Sequence, residues 1–396
     1  MAINESEKYV SKIGTKTFFS LWSFENPRKP NGEELCDFLV VFENDIIIFS
    51  VKDIEYKKKG VEQIDMDRWK RKAINSSVSQ IYGAERIIGQ MTDVIDSEDH
   101  VQTPLPNPEC RRIHRIAIAF GSDREIPISV RNCSKGFVHI FDEIAFGVIL
   151  KELDTITDFI DFLLNTEHFL STKKVIMLGG VEDLLGVYLW NDRTYPEGDV
   201  YIVINDYWKE IIKKPEMIGK KKLNKVSYLW DDIIESFVKS FSDGTIQGDN
   251  KLPDIEKGLR IMVKENRFNR RILMEAFRDM VQKTGEGMMN FRDVLGRREV
   301  CYLFMCAPED MKREHRKEIL AKRCFVLRGK YGKNPIVGLA TEPLHVDGRS
   351  YDMVVYDDPE MGDEYWEKYK EIQSISHFFE KPDISKYHYE EYPDVG

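Results

Sequence analysis

The stretch from Gly32 to Asp53, GEELCDFLVVFENDIIIFSVKD, constrains this chain more than any other. Two apolar runs meet at Glu43-Asn44-Asp45, and the pattern predicts strands over Leu35 to Phe42 and Asp45 to Lys52. Strand side chains alternate faces, so Ile46, Ile48, Ser50 and Lys52 share one face of the second strand, and Asp37, Leu39 and Val41 share one face of the first. A two-residue turn at Glu43-Asn44 places Asp37 opposite Ser50. A turn one residue further on places Asp37 opposite Lys52, whereas a three-residue loop would separate the polar groups. An aspartate or a lysine buried alone among isoleucine, leucine and valine is costly. Their convergence therefore calls either for an ion pair at wet strand ends or for a site. A divalent-metal site fits the residue types: carboxylates hold Mg²⁺, and a lysine orients the attacking water or stabilises charge developing on phosphorus.

The elements around this hairpin predict an α/β domain with a mixed sheet. A helix is expected from Glu5 to Phe24 and a long one from about Asp65 to Gln90. Strands follow in RRIHRIAIAF and GFVHIFD, and then a closing helix in FGVILKELDTITDFIDFLLNTE. The polar, proline-rich SEDHVQTPLPNPE reads as a surface loop. After about Thr172 the pattern becomes mostly helical, with one short strand in VYIVIND. From about Glu299, alternating apolar runs and a helix around Glu309 to Lys322 predict a small α/β module. The expected domains are thus residues 1–172, 173–298 and 299–396.

With 396 residues, 42% hydrophobic and 32% charged, the chain has the composition of a soluble globular protein of two or three domains. MAINESEKYV has no apolar h-region, and no apolar run approaches the roughly 20 residues of a membrane span. A cytoplasmic protein is expected, with its six scattered cysteines reduced and without structural zinc. No Walker or GxGxxG motif supports a nucleotide-driven motor. The net charge of -10 weighs against a dedicated nucleic-acid binder, yet positive charge is clustered. Lys57, Lys58, Lys59, Arg68, Lys70, Arg71 and Lys72 follow the hairpin closely. The groups Lys213 to Lys225 and Arg267, Arg270, Arg271 read more simply as solvated faces.

In the long helix, Trp69, Ala73, Gln80, Ala84 and Ile87 fall near one face, so Gln80 is expected to point toward the sheet, with Tyr82 nearby. His114 and His139 sit in predicted strands and read as satisfied histidines. Asp352 and Asp357-Asp358 read as turn acids before they read as a metal site.

Asp37 followed by Ser50-Val51-Lys52 resembles the PD-(D/E)xK superfamily of restriction-endonuclease-like nucleases, in which an acidic residue opens one strand and an [E/D]xK triplet lies on the next. Lys52 matches the lysine, Glu34 an acidic position that many members carry before the first strand, and Gln80 a glutamine often found on the following helix. Ser50 stands where the second carboxylate belongs, as in what looks like one bacterial branch of the superfamily. The resemblance covers roughly Glu5 to Leu164. It implies a restriction-endonuclease-like mixed-sheet core and hydrolysis of phosphodiesters, DNA more readily than RNA, in restriction or phage defence. It also implies Mg²⁺ or Mn²⁺ held by Glu34, Asp37 and Ser50, with Asp37, Ser50, Lys52 and Gln80 catalytic. Lys57, Lys58, Lys59, Arg68 and Arg71 are placed to meet phosphates. A homo-oligomer is expected, with Trp230, Phe237, Phe268 and Phe277 as candidate interface residues, and a partner protein of a defence system is a further expectation. The altered carboxylate leaves two alternatives, a nuclease-fold binding protein without cleavage and a regulatory or scaffold subunit.

Overall fold

The structure, a computed structural model, describes residues 4–97, 102–126, 128–243, 252–285, 287–296, 299–332, 334–343, 349–357, 361–380 and 388–393. It is α/β with a mixed sheet, and the chain divides into two compact units, residues 1–214 and 215–396.

The first unit opens with helix α1 (Glu5–Phe18), started by an Asn4 and Glu7 capping box. The helix expected to reach Phe24 stops at Phe18 because Phe19 takes a positive φ of 65°. Strand β1 (Ser23–Glu25) follows and pairs antiparallel with β2 (Phe38–Phe42). β2 forms the expected hairpin with β3 (Asp45–Asp53), with Phe42 opposite Asp45 across Glu43-Asn44. A long helical run then leads from β3 to the strand at Arg112–Phe120, β6. It comprises α2 (Glu62–Lys70), a π turn over Arg71–Asn75 and α3 (Ser76–Ile88).

Before β6 come the short strands β4 (Asp93–Ile95) and β5 (Gln102–Pro104), paired as a separate ribbon. Strand β6 (Arg112–Phe120) lies parallel to β3, and after the short β7 (Arg131–Asn132) comes β8 (Val138–Asp142), parallel to β6. The sheet order is β1-β2-β3-β6-β8-β7. One face packs Leu39, Val41, Ile46 and Ile48 against Trp69, Ala73, Val78, Ile81 and Ala84 of the long helical run. On the other face Phe38 and Phe49 meet Phe18 and Phe159. The closing helix is two helices, α4 (Glu143–Glu152) and α5 (Ile156–Thr172), because Leu153 leaves helical geometry and Thr155 caps the second. A parallel pair, β9 (Lys174–Met177) and β10 (Val200–Val203), with α6 (Val181–Trp190) and α7 (Tyr207–Ile211), completes this unit.

The second unit begins with α8 (Pro215–Leu223), α9 (Tyr228–Ser242), α10 (Leu252–Val263) and α11 (Arg267–Gln282). These helices share a core with a sheet of order β11-β12-β13-β14, namely Asn290–Leu295, Cys301–Cys306, Ile336–Thr341 and Asp352–Tyr356. Trp230 packs edge-on to Tyr302, and Phe277 to Phe304. Helix α12 (Arg313–Tyr331) covers the other side with α13 (Asp363–Ser376) beside it. Trp230, Phe268 and Phe277 are fully buried here and are core; Phe237 is half-buried.

Arg267, Arg270 and Arg271 are also buried, which corrects their reading as a solvated face. Arg267 and Arg270 both pair with Asp231, at 2.8 and 2.6 Å, and Arg270 also donates to the carbonyls of Glu265 and Val263. Such fixed planar donors suit internal pairing better than lysine would. Asp352 is buried against Arg313 and Arg316 and is no turn acid, while Asp358 lies outside the described residues. Among the described residues no helix is long and apolar enough to cross a membrane.

Candidate functional site

The polar end of the hairpin is built by β2 stopping early. Its ladder ends at Phe38 opposite Phe49, and one residue further Asp37 comes opposite Ser50. The first of the two registers considered is therefore the one adopted. Asp37 lies before the strand, and its Oδ2 accepts the Val51 N–H at 2.5 Å. The carboxylate thus takes the place of a backbone carbonyl, which satisfies a buried amide and fixes the side chain at the sheet face. The Ser50 hydroxyl donates to Gln80 Oε1 at 3.1 Å, and Gln80 Nε2 donates to Asp37 Oδ1 at 3.3 Å. Helix α3 reaches this face because Val78, Ile81 and Ala84 are packed in the core on either side of Gln80. Lys52, next on the same face, places Nζ 4.0 Å from Asp37 Oδ2. Its side chain is 26% exposed and that of Asp37 is 4% exposed, so water reaches the lysine end of the cluster.

Glu34 joins from the loop before β2. Its backbone is bridged to Arg28, and the neighbouring Leu35 N–H donates to the Pro27 carbonyl at 2.8 Å. Burial pushes the Glu34 carboxyl above its ordinary 4.5. Its hydrogen bond to Asp37 and the charges of Asp37 and Glu7 add to this, against the pull of Lys52. Two carboxyls held together at one lysine disfavour double ionisation, a conflict that a divalent cation would relieve. Glu34, Asp37, Ser50, Lys52 and Gln80 are thus brought together. Tyr82 is not part of the group, because its hydroxyl donates to the Gly136 carbonyl at 2.9 Å.

The Glu34 shift has a measurable sign. A raised folded-state pKa means that the neutral form favours folding, fully below pH 4.5, and that this contribution is lost as pH rises through the raised value. Glu34→Gln, which stays neutral, is expected to gain thermal stability over the parent as pH rises from 4.5 to 7 without divalent ions. The two should converge below pH 4.5. Melts that stay parallel across this range would contradict the assignment.

Among the described residues no three His, Cys, Asp or Glu side chains form a ready metal cluster. Mg²⁺ needs fewer, since it commonly takes one or two carboxylates and keeps several waters. Asp37 and Glu34 supply two hard oxygen donors and Ser50 a hydroxyl, so the residues fit such an ion.

The basic residues lie beside this end of β3. The Trp69 indole donates to the Ile54 carbonyl at 2.5 Å, just beyond the strand. Asp65 folds the preceding loop by accepting the Lys59 and Gly60 N–H groups and holding Arg68 at 2.7 Å. Lys57 and Lys58 are exposed but paired with Glu55 and Glu125, each at 2.7 Å. Arg68, Lys70 and Arg71 line an open surface groove with Ile64, Asp67 and Asn75. Lys59 and Arg71 are exposed, with no carboxylate partner for either side chain among the described residues. Reversing both, Lys59→Glu with Arg71→Glu, is expected to weaken nucleic-acid binding and flatten the slope of log K against log salt by about 0.7–0.9 per lost phosphate contact. An unchanged slope would move the binding face elsewhere.

The histidines are structural. His114 bonds Asp45 at 2.8 Å, at the far end of β3 from Lys52, and Arg112 joins the same carboxylate at 2.5 Å. Burial, with the nearby His114 adding to it, pulls His139 down to about 3, so it is neutral inside the sheet. The sequence matches no family model and no curated protein, and no solved structure matches the chain.

Proposed function

We propose that the chain is a divalent-metal-dependent nuclease of the restriction-endonuclease-like type, hydrolysing phosphodiesters of nucleic acid, with DNA the favoured substrate. The observation that carries this reading is the joining of Asp37, Ser50, Gln80 and Lys52 on one sheet face where water enters. The order of elements in the first unit supports it: a helix, three antiparallel strands, a long helical run and a parallel strand.

Asp37 and Glu34 are the residues to hold Mg²⁺ or Mn²⁺, which when bound supplies Lewis acidity toward a phosphate oxygen and a more acidic water. Lys52 offers a compact ammonium to the attacking water or to the charge gathering on phosphorus. Gln80 fixes the rotamers of Asp37 and Ser50. Lys59 and Arg71 draw the backbone toward the site.

One observation favours a second reading, a binding subunit that does not cut. Ser50 is fully buried, and its hydroxyl and the Asp37 oxygens already have protein partners. Restoring the missing charge separates the two. Ser50→Asp is preferred to glutamate, whose extra methylene would have to displace Gln80. Nucleic acids of several kinds, with Mg²⁺ and with Mn²⁺, are the substrates to use. Faster cleavage by the variant, or a shift from Mn²⁺ toward Mg²⁺ use, fits a working site. A folded variant and parent that both bind nucleic acid without cutting it would favour the second reading.

A further inference from the structure

Among the buried cations of the second unit, two converge on a single stretch of chain that the nuclease reading does not use. Lys220 on α8 is 3% exposed and Arg271 on α11 is 1% exposed. Both are directed at one short segment late in the sequence, Glu390–Tyr392. Arg271 Nη2 donates to the Glu390 carbonyl, and its Nη1 donates to the Glu391 carbonyl and to Asn224 Oδ1, each at 3.4 Å. Lys220 Nζ lies 3.5 Å from Glu391 Oε1 and donates to the Tyr392 hydroxyl at 3.3 Å. The same ammonium stands 4.8 Å from the centre of the Tyr392 ring.

This is a division of labour. Arg271 reads main-chain carbonyls, which any peptide offers. Lys220 reads an acidic side chain followed by a phenol, which few do. Peptide-binding grooves obtain affinity and specificity in this way. Arg271 Nε is buried and has no acceptor among the described residues, so Glu390–Tyr392 leaves this donor unused. Buried cations are costly unless paired and hydrogen-bonded, and the Glu391 carboxylate, the Tyr392 hydroxyl and two chain carbonyls are among the partners these two have.

We propose that the groove of Lys220, Asn224 and Arg271 is an exchangeable recognition site for an acidic, tyrosine-bearing peptide. Its own segment Glu390–Tyr392 fills it within the chain, and the same segment of a second copy fills it between chains. The inference stands on the second unit alone and does not depend on the nuclease reading.

The test uses the full chain carrying Glu391→Ala and Tyr392→Ala, and a fluorescent peptide with the sequence of residues 387–396. The peptide is expected to bind this variant saturably and about tenfold or more tightly than it binds the parent, whose groove is already filled. Adding Lys220→Ala to the variant, or Glu391→Lys to the peptide, is expected to lower that affinity by about tenfold or more. A folded double variant that does not take up the peptide, or one whose binding ignores Lys220→Ala, overturns the proposal. Should the double variant fail to fold, Glu391→Gln alone serves. The peptide then binds this chain more tightly than the parent, and equal or absent binding to both overturns the proposal.

Discussion

Lys52→Ala is expected to reduce cleavage by about 10²–10³-fold, the range found when one group that stabilises a transition state is removed. Lys52 is the cation beside Asp37, and its strand is fixed by pairing with β2 on one side and β6 on the other. The backbone therefore stays in place when the ammonium is deleted. Affinity for nucleic acid should change little, because the phosphate contacts are proposed for the exposed Lys59 and Arg71. Lys52→Arg should restore only a small part of the rate, since a planar guanidinium cannot occupy the position of a compact ammonium. Single-turnover cleavage alongside equilibrium binding checks this. Equal losses in both would make Lys52 a binding residue.

Asp37 carries the second large effect. Asp37→Asn is expected to lower Mn²⁺ affinity by about 100-fold or more, since even the outer partners of a metal ligand are commonly worth 10–100-fold. Cleavage should fall with it. Asp37→Ala is expected to disturb the fold as well as metal binding. Alanine leaves the buried Val51 N–H without its acceptor, at a cost of about 1–3 kcal/mol. Asparagine keeps an oxygen there and is the cleaner variant. Calorimetry with Mn²⁺ and a denaturant titration together separate the two effects. Unchanged Mn²⁺ affinity in a folded Asp37→Asn chain would remove the metal assignment.

The hairpin was legible because β alternation and a two-residue turn leave few registers, and each of those placed Asp37 near Ser50 or Lys52. Gln80 was legible from helical spacing, since its neighbours Ala73 and Ala84 had to face the sheet. Tyr82 was not, because its partner Gly136 is remote in sequence. Strand β1 is three residues long and adjoins a helix-like run, so periodicity gave no sign of it. The π turn at Arg71–Asn75 is a matter of backbone hydrogen bonding within a run that reads as one helix. The arginines at 267, 270 and 271 looked like a solvated face because charge usually is solvated. Only the fold reveals that Asp231 and the chain carbonyls of Val263, Glu265, Glu390 and Glu391 await them. In the cluster from Lys213 to Lys225 only Lys220 is buried, and its acidic partner Glu391 lies near the other end of the unit in sequence; the other five lysines are exposed, as a solvated face requires.

Cleavage of phosphodiesters with a divalent ion is the proposed reaction at this site. Its most direct test is a time course of DNA and RNA cleavage by the parent chain, with Lys52→Ala prepared in parallel. Mg²⁺, Mn²⁺ and a chelator are compared. The parent is expected to cleave with at least one of the two ions and not with chelator, and the variant to lose about 10²–10³-fold. Equal cleavage by parent and variant, or none by a folded parent that binds the same nucleic acids with either ion present, would contradict it.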